Sequence, residues 1–314
     1  MKLCTSTGDF AGYVSETTEM IRAFKDSPFR NLNLELGAHA ALYATGEEHL
    51  ALAEEWGKAA EEAGVRFAVS HAPCLNVFKE LSEEHYQRQL GAIRRSIEIC
   101  HALSIPRIVV HACFHPSFSN EVFFRENKRF YGDLTDLMEK YSVTVMTENV
   151  DNPKTCPLST GAEMREFAEH IDHPLMAVCW DTAHGNLNEK ARGEGQYKCI
   201  TDIGERLKGV HISDNFAPGR HQHSWPFAGD INFDQVLQGL LDVRYDGYFT
   251  FEASYTLLHN TNCPCLRRPW ERERETVSRL FNPPIALKKQ ANQLLYDLGK
   301  YILDAYHCFE EDGK

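Results

Sequence analysis

Short runs of β-branched and apolar residues recur along this chain, separated by longer stretches with helical period. The strand-like runs are Lys2–Thr7, Asn31–Leu36, Arg66–Ala72, Arg107–Ala112, Val143–Val150, Met176–Thr182, Gly209–Asp214 and Tyr248–Ala253. Between them, Glu47–Ala63 puts Leu50, Leu52, Ala53, Trp56, Ala59 and Ala60 on one stripe, and Tyr86–Leu103 repeats the pattern with Leu90, Ile93, Ile97 and Cys100. A stripe of that kind packs on a sheet. Strand–helix alternation implies a parallel sheet, and eight units predict closure into a (β/α)8 TIM barrel rather than an open doubly wound sheet. No Ser/Gly-rich or low-complexity stretch divides the chain, so one α/β domain is expected over residues 1–314. The last unit is elaborated: a long loop over 255–284, carrying Arg267, Arg268 and Trp270, precedes a C-terminal amphipathic helix over 285–308. A loop that long on the carboxyl side of the eighth strand predicts either a lid or surface decoration.

Several strand runs end on a side chain that binds metals or moves protons. His71 follows Phe67–Ser70, His111 follows Ile108–Val110, and Glu148 follows Val143–Thr147; Asp181 closes the run from Met176, and His211 and Glu252 follow Val210 and Phe251. In a parallel barrel these ends share one rim, where active sites form. Glu148, Asp181, His211 and Glu252 come from four consecutive strands. Three carboxylates and one imidazole suit a divalent ion such as Mn²⁺, Mg²⁺, Co²⁺ or Zn²⁺. His71, His111, His184, His221 and His223 form a second group, able to complete further metal sites or to contact substrate. Trp180, Phe216, Trp225 and Phe227 are candidates for the surface under a sugar ring or for packing.

Composition narrows the partners. The 314 residues are 43% hydrophobic and carry a formal net charge of −12, which disfavours broad attraction to nucleic-acid backbones. Arg220, Arg267 and Arg268 remain local candidates for holding phosphate or substrate. The ten cysteines are scattered, which predicts free thiols, with Cys263-Pro264-Cys265 the one close pair. The chain opens on a strand-like segment without a charged-then-apolar leader, and no run reaches the ~20 apolar residues of a membrane span. A cytoplasmic protein is expected, with a small carbohydrate as substrate, no membrane or nucleic-acid partner, and a homo-oligomer allowed.

The ordered motifs Ser70-His71-Ala72-Pro73, Val109-Val110-His111, Thr147-Glu148-Asn149, Asp181-Thr182-Ala183-His184, Val210-His211-Ile212-Ser213-Asp214, Ala228-Gly229-Asp230-Ile231 and Tyr245-Asp246-Gly247-Tyr248 with Phe251-Glu252 resemble the xylose-isomerase-like barrels over residues 1–255. That superfamily holds sugar and sugar-phosphate isomerases and epimerases and the endonuclease IV group. The resemblance to the epimerases implies that Glu148 and Glu252 ligate a metal and act as the acid/base pair. It also implies that Asp181 and His211 complete the ligand set and that His184 contacts substrate. The resemblance to endonuclease IV implies three zinc ions held by positions matching His71, His111, Glu148, Asp181, His184, His211, His223 and Glu252. There His221 stands near the family's aspartate, and either His111 or His115 takes the first-site role. The arginine that epimerases carry after the histidine matching His211 is replaced by Asn215-Phe216-Ala217, with Arg220 the nearest candidate.

Two functions follow as expectations. The first is a divalent-metal-dependent isomerase or epimerase that removes a proton beside a sugar carbonyl and passes through an enediolate. The alternative is a multi-zinc phosphoesterase of the abasic-endonuclease kind, to which the extra histidines point.

Overall fold

The computed structural model describes residues 1–151, 157–219, 222–253, 257 and 283–312. Eight strands appear: β1 (Leu3–Ser6), β2 (Asn31–Glu35), β3 (Arg66–His71), β4 (Arg107–Val109), β5 (Thr144–Glu148), β6 (Met176–Asp181), β7 (Leu207–Ile212) and β8 (Phe249–Phe251). They close in sequence order, every neighbouring pair is parallel, and β8 returns to β1. This is the α/β TIM barrel that the alternation predicts.

Helices cover the outside of the barrel. They are α1 (Thr17–Arg22), α2 (Glu48–Ala63), α3 (Glu83–Ala102), α4 (Asn120–Gly132), α5 (Thr135–Tyr141), α6 (Gly161–Ile171), α7 (Thr182–Leu187), α8 (Glu189–Glu194), α9 (Gln196–Ile203), α10 (Phe233–Asp242) and α11 (Ile285–Ala305). Their ends follow local chemistry. The third begins three residues before its apolar stripe because the Ser82 hydroxyl accepts from His85 N, a cap that periodicity does not register. The second stops at Gly64, whose φ of 70° is left-handed.

Strand polarity sorts the two faces. In β2 the run Asn31-Leu32-Asn33-Leu34-Glu35 alternates strictly: Leu32 and Leu34 join the outer core beneath the helices, and the polar residues take the other face, toward the lumen. A separate inner cluster of Cys4, Ala68, Val69, Val109, Met146, Ala177 and Cys179 fills the lumen. Gly209 is needed there, since a Cβ would sit 2.8 Å from Met146 Sδ.

Some expectations change. Strands β4 and β8 end earlier than their apolar runs, at Val109 and Phe251, so His111 and Glu252 stand just past the ladder. β7 starts two residues earlier, at Leu207, directly after a 3-10 turn. Trp180 is not a sugar platform: it is fully buried in the outer core and donates to Gln196 Oε1 at 2.8 Å. Most of the 255–284 loop, including Arg267, Arg268, Cys263 and Cys265, lies outside the described residues. The cysteines among the described residues are free. No helix among those residues is long and apolar enough to cross a membrane.

The C-terminal helix α11 is tied to the first βα turn by a buried charge pair. Lys288 Nζ lies 2.6 Å from Asp9 Oδ1, and Asn292 Nδ2 donates to Asp9 Oδ2 at 2.7 Å. Both charged residues are at most 4% exposed. Removing one partner of a buried pair strands the other charge, at a cost of about 3–5 kcal/mol. Lys288→Met should therefore lower the urea midpoint by that equivalent. Adding Asp9→Asn should restore much of the loss, and a Lys288→Met variant as stable as the parent would contradict the pairing.

Candidate metal centre

The strand register brings the predicted side chains to one rim. Glu35 pairs with His71 across β2 and β3, Asp181 pairs with His211 across β6 and β7, and Glu252 N reaches Ile212 O beyond β8. One ligand atom each from Glu148, Asp181, His211 and Glu252 lies within 4.8 Å of all the others. His211 Nδ1 stands between the two glutamates, 3.1 Å from Glu148 Oε1 and 2.9 Å from Glu252 Oε2. The end of β6 is fixed by Asn149, whose side chain accepts from Asp181 N at 2.7 Å and donates to Asp181 O at 3.0 Å. Asp181 caps α7: its Oδ1 accepts from His184 N at 2.7 Å, while its buried Oδ2 has no hydrogen-bond partner among the described residues.

A second cluster adjoins the first through Glu148. Its Oε2 is 3.5 Å from His71 Nε2 and 3.5 Å from His111 Nε2, and the two ring nitrogens face each other at 3.2 Å. His71 Nδ1 lies 2.7 Å from the Ala72 carbonyl, which fixes a proton on Nδ1 and turns Nε2 toward the cluster. Cys74 joins this group with His71 and His111. Of the two histidines competing for this position, His111 is the one brought in; His115 instead pairs with Ser117. His184 approaches Glu148 Oε1 at 3.4 Å, and its Nδ1 meets the Asn149 carbonyl at 2.9 Å. His223 is buried behind it, 3.4 Å from Ser213 Oγ. Arg220 and His221 lie outside the described residues.

The charges are tightly interlocked. Burial pushes Glu148 up, but His211, His184 and His71 outweigh burial and hold its carboxyl well below the usual range. Glu252 is likewise held low: burial opposes, and His223 and His211 prevail. Burial raises Asp181, and Glu148 and Glu252 add to the rise. Burial opposes charge on His71 and His184, yet Glu35 and Glu148 around the first, and Asp181 and Glu148 around the second, lift both to about 10. His211 is also raised well above its ordinary value, while burial drives His111 down to about 4. Protons on imidazoles thus neutralise carboxylates that a cation would otherwise neutralise. An unpartnered Asp181 oxygen, His211 Nδ1 held between two carboxylates and a hard donor set all fit a divalent ion.

The site also contains what the motif reading overlooked. Glu35, on β2, accepts from Ser6 Oγ at 3.1 Å and from Asn33 Nδ2 at 2.8 Å. Its signal was present as the last polar position of the alternating β2 run. Cys179 lies under His211 and joins a group with it and Glu148. The Asp214 motif is structural: its carboxylate accepts from Asn215 N, Gly229 N and Ile231 N.

Known proteins place this geometry in a family. Residues 24–276 match the family model described as "Xylose isomerase-like TIM barrel". A ketose 3-epimerase of Arthrobacter globiformis is 27% identical over 127 residues, 40% of each chain. The chain thus aligns with well under two thirds of that relative's length. A protein of Halorhodospira halophila named "Probable endonuclease 4" is 24% identical over 61% of this chain and 69% of its own. Among solved structures, a D-psicose 3-epimerase determined in the presence of D-fructose superposes with a TM-score of 0.74 at 14% identity, covering 96% of this chain and 99% of the other. That last likeness concerns the fold alone. The matched span, the closed barrel and the rim of ligand-type side chains agree: the chain belongs to the Xylose isomerase-like TIM barrel family.

Proposed function

We propose that the protein is a divalent-metal-dependent epimerase or isomerase that works as one barrel domain in the cytoplasm on a sugar, polyol or sugar phosphate. The observation that carries this reading is the placement of Glu148 and Glu252 on either side of His211 Nδ1, with Asp181 completing the donor set. Glu148, Asp181, His211 and Glu252 would hold the ion. When bound, it supplies Lewis acidity that polarises a carbonyl or neighbouring hydroxyl oxygen of the substrate. Glu148 ends β5 and Glu252 follows β8, three strands further round the rim, and a substrate carbon lying between the two carboxylates would meet one of them on each face. One, as the carboxylate, takes the proton beside the carbonyl; the other, protonated from solvent before its turn, returns a proton to the opposite face of the enediolate, and exchange with water restores both. His184 and His71, raised in pKa by the neighbouring carboxylates, are suited to donate to substrate oxygens.

A second reading has its own support. His71, His111 and Glu148 form a compact trio beside the quartet, suited to a second ion, and a two-ion centre suits phosphoester hydrolysis. The likeness to the endonuclease-named protein points the same way. The net charge of −12 weighs against a nucleic-acid substrate. The first reading is therefore preferred.

Three outcomes are expected. Glu148→Gln and Asp181→Asn should each weaken Mn²⁺ or Zn²⁺ binding by more than roughly ten-fold in calorimetry, since ligand loss exceeds the effect of losing a supporting contact; parental affinity would contradict the assignment. Because His211 holds its proton well above the ordinary range, ion binding must expel protons, and apparent affinity should rise with pH through neutrality. Titrations in two buffers of different ionisation heat should then differ in observed enthalpy; identical heats would oppose this. With metal bound in D₂O, a free or phosphorylated ketose should take up deuterium at carbon. Glu148→Gln and Glu252→Gln should slow that uptake about 10²–10⁴-fold. Silence across a sugar panel together with cleavage of an abasic-site duplex would transfer the assignment to the second reading.

A further inference from the structure

Each strand of the barrel delivers one polar side chain to its mouth: Ser6, Glu35, His71, His111, Glu148, Asp181, His211 and Glu252. The proposed chemistry and its two-ion alternative together use β3 to β8 and leave Glu35 without a task. This side chain is nevertheless held in place. Its Oε1 takes both donors, Ser6 Oγ at 3.1 Å and fully buried Asn33 Nδ2 at 2.8 Å, and its backbone N–H donates to Thr7 Oγ1 at 3.0 Å. Its Oε2 has no hydrogen-bond partner among the described residues. Two donors on one oxygen stop the carboxylate from rotating and leave the lone pairs of the other oxygen unused. Glu35 is level with His71 in the ladder, and β1 alone separates its strand from that of Glu252.

We infer that Glu35 is a specificity residue: its unpartnered oxygen accepts a hydroxyl of a neutral carbohydrate, at the end remote from the reacting carbon, and its charge rejects a substrate carrying phosphate there. The inference rests on the carbohydrate reading above and narrows its substrate class. A hydroxyl donates to a carboxylate in a charge-assisted bond, whereas a phosphate needs cationic or N–H donors. None of the eight mouth residues is lysine or arginine, four of them are acidic, and the three histidines are each engaged with Glu148. A site that uses a substrate hydroxyl also discriminates strongly against an analogue that cannot supply it. A purely structural Glu35 that only braces the turn after β1 would affect neutral and phosphorylated substrates alike.

The test uses the full chain loaded with Mn²⁺, with D-fructose and D-fructose 6-phosphate as probes, read by deuterium uptake and by titration calorimetry. The parent should favour the free sugar in kcat/KM. Glu35→Gln keeps the acceptor for Ser6 and Asn33. It should raise KM for D-fructose roughly ten-fold, the loss of one charge-assisted hydrogen bond, with kcat nearly unchanged and bound metal equal to the parent. The same change should narrow the gap between free sugar and phosphate, while Glu35→Asp, which keeps the charge, should still discriminate against the phosphate. A parent that prefers the 6-phosphate, or a Glu35→Gln variant that alters both substrates equally or neither, would overturn the inference. If the variant does not fold, the parent's preference decides. If neither sugar exchanges deuterium, the epimerase reading fails by itself and calorimetry still judges Glu35. Preferential binding of the free sugar, lost in Glu35→Gln, supports the subsite, and absence of binding by the parent rejects it.

Discussion

Carboxylates from Glu148, Asp181 and Glu252 converge on a single imidazole nitrogen at a place where the first two are at most 1% exposed. Bringing like charges together away from water is costly unless something positive joins them. In the protein alone that role falls to protons on His211, His184 and His71, which explains why these histidines are raised while His111, with less compensation, is lowered. A divalent cation would meet the same electrostatic demand at one point, in place of those protons. The remaining features of the mouth follow from this requirement, including the Asn149 brace on Asp181 and the Ala72 carbonyl that orients His71.

The barrel meets that requirement by separating two kinds of packing. Leucines and aromatics face the helices, and the lumen below the site is lined by small and sulfur-bearing side chains, with Gly209 where no Cβ fits. The polar rim is thereby kept apart from the apolar layer beneath the helices. Helix α11 closes the outer layer through the Lys288–Asp9 pair on the turn after β1, next to the strand that contributes Ser6.

The repeating units, their order and the ligand-type strand ends were all legible in the sequence, because a parallel ladder turns strand order directly into position around the rim. Glu148, Asp181, His211 and Glu252 could be read as neighbours for that reason. Glu35 escaped the motif reading although the Asn-Leu-Asn-Leu-Glu alternation marks it, since a carboxylate outside a familiar ligand pattern looks like any strand-end charge. Trp180 was ambiguous because adjacent strand residues face opposite layers, and only its contact with Gln196 shows which. The choice between His111 and His115 depended on where β4 leaves the ladder, which apolar runs do not mark to the residue. The start of α3 depended on the Ser82 cap rather than on hydrophobic period.

Anomalous diffraction from crystals of the protein grown with Mn²⁺ or Zn²⁺, collected across the metal's absorption edge, tests the central claim most directly. A strong peak about 2.0–2.6 Å from oxygens of Glu148, Asp181 and Glu252 and from His211 Nδ1 is the predicted result. A fully formed rim with no peak at saturating metal, or a peak that excludes those four side chains, would contradict it.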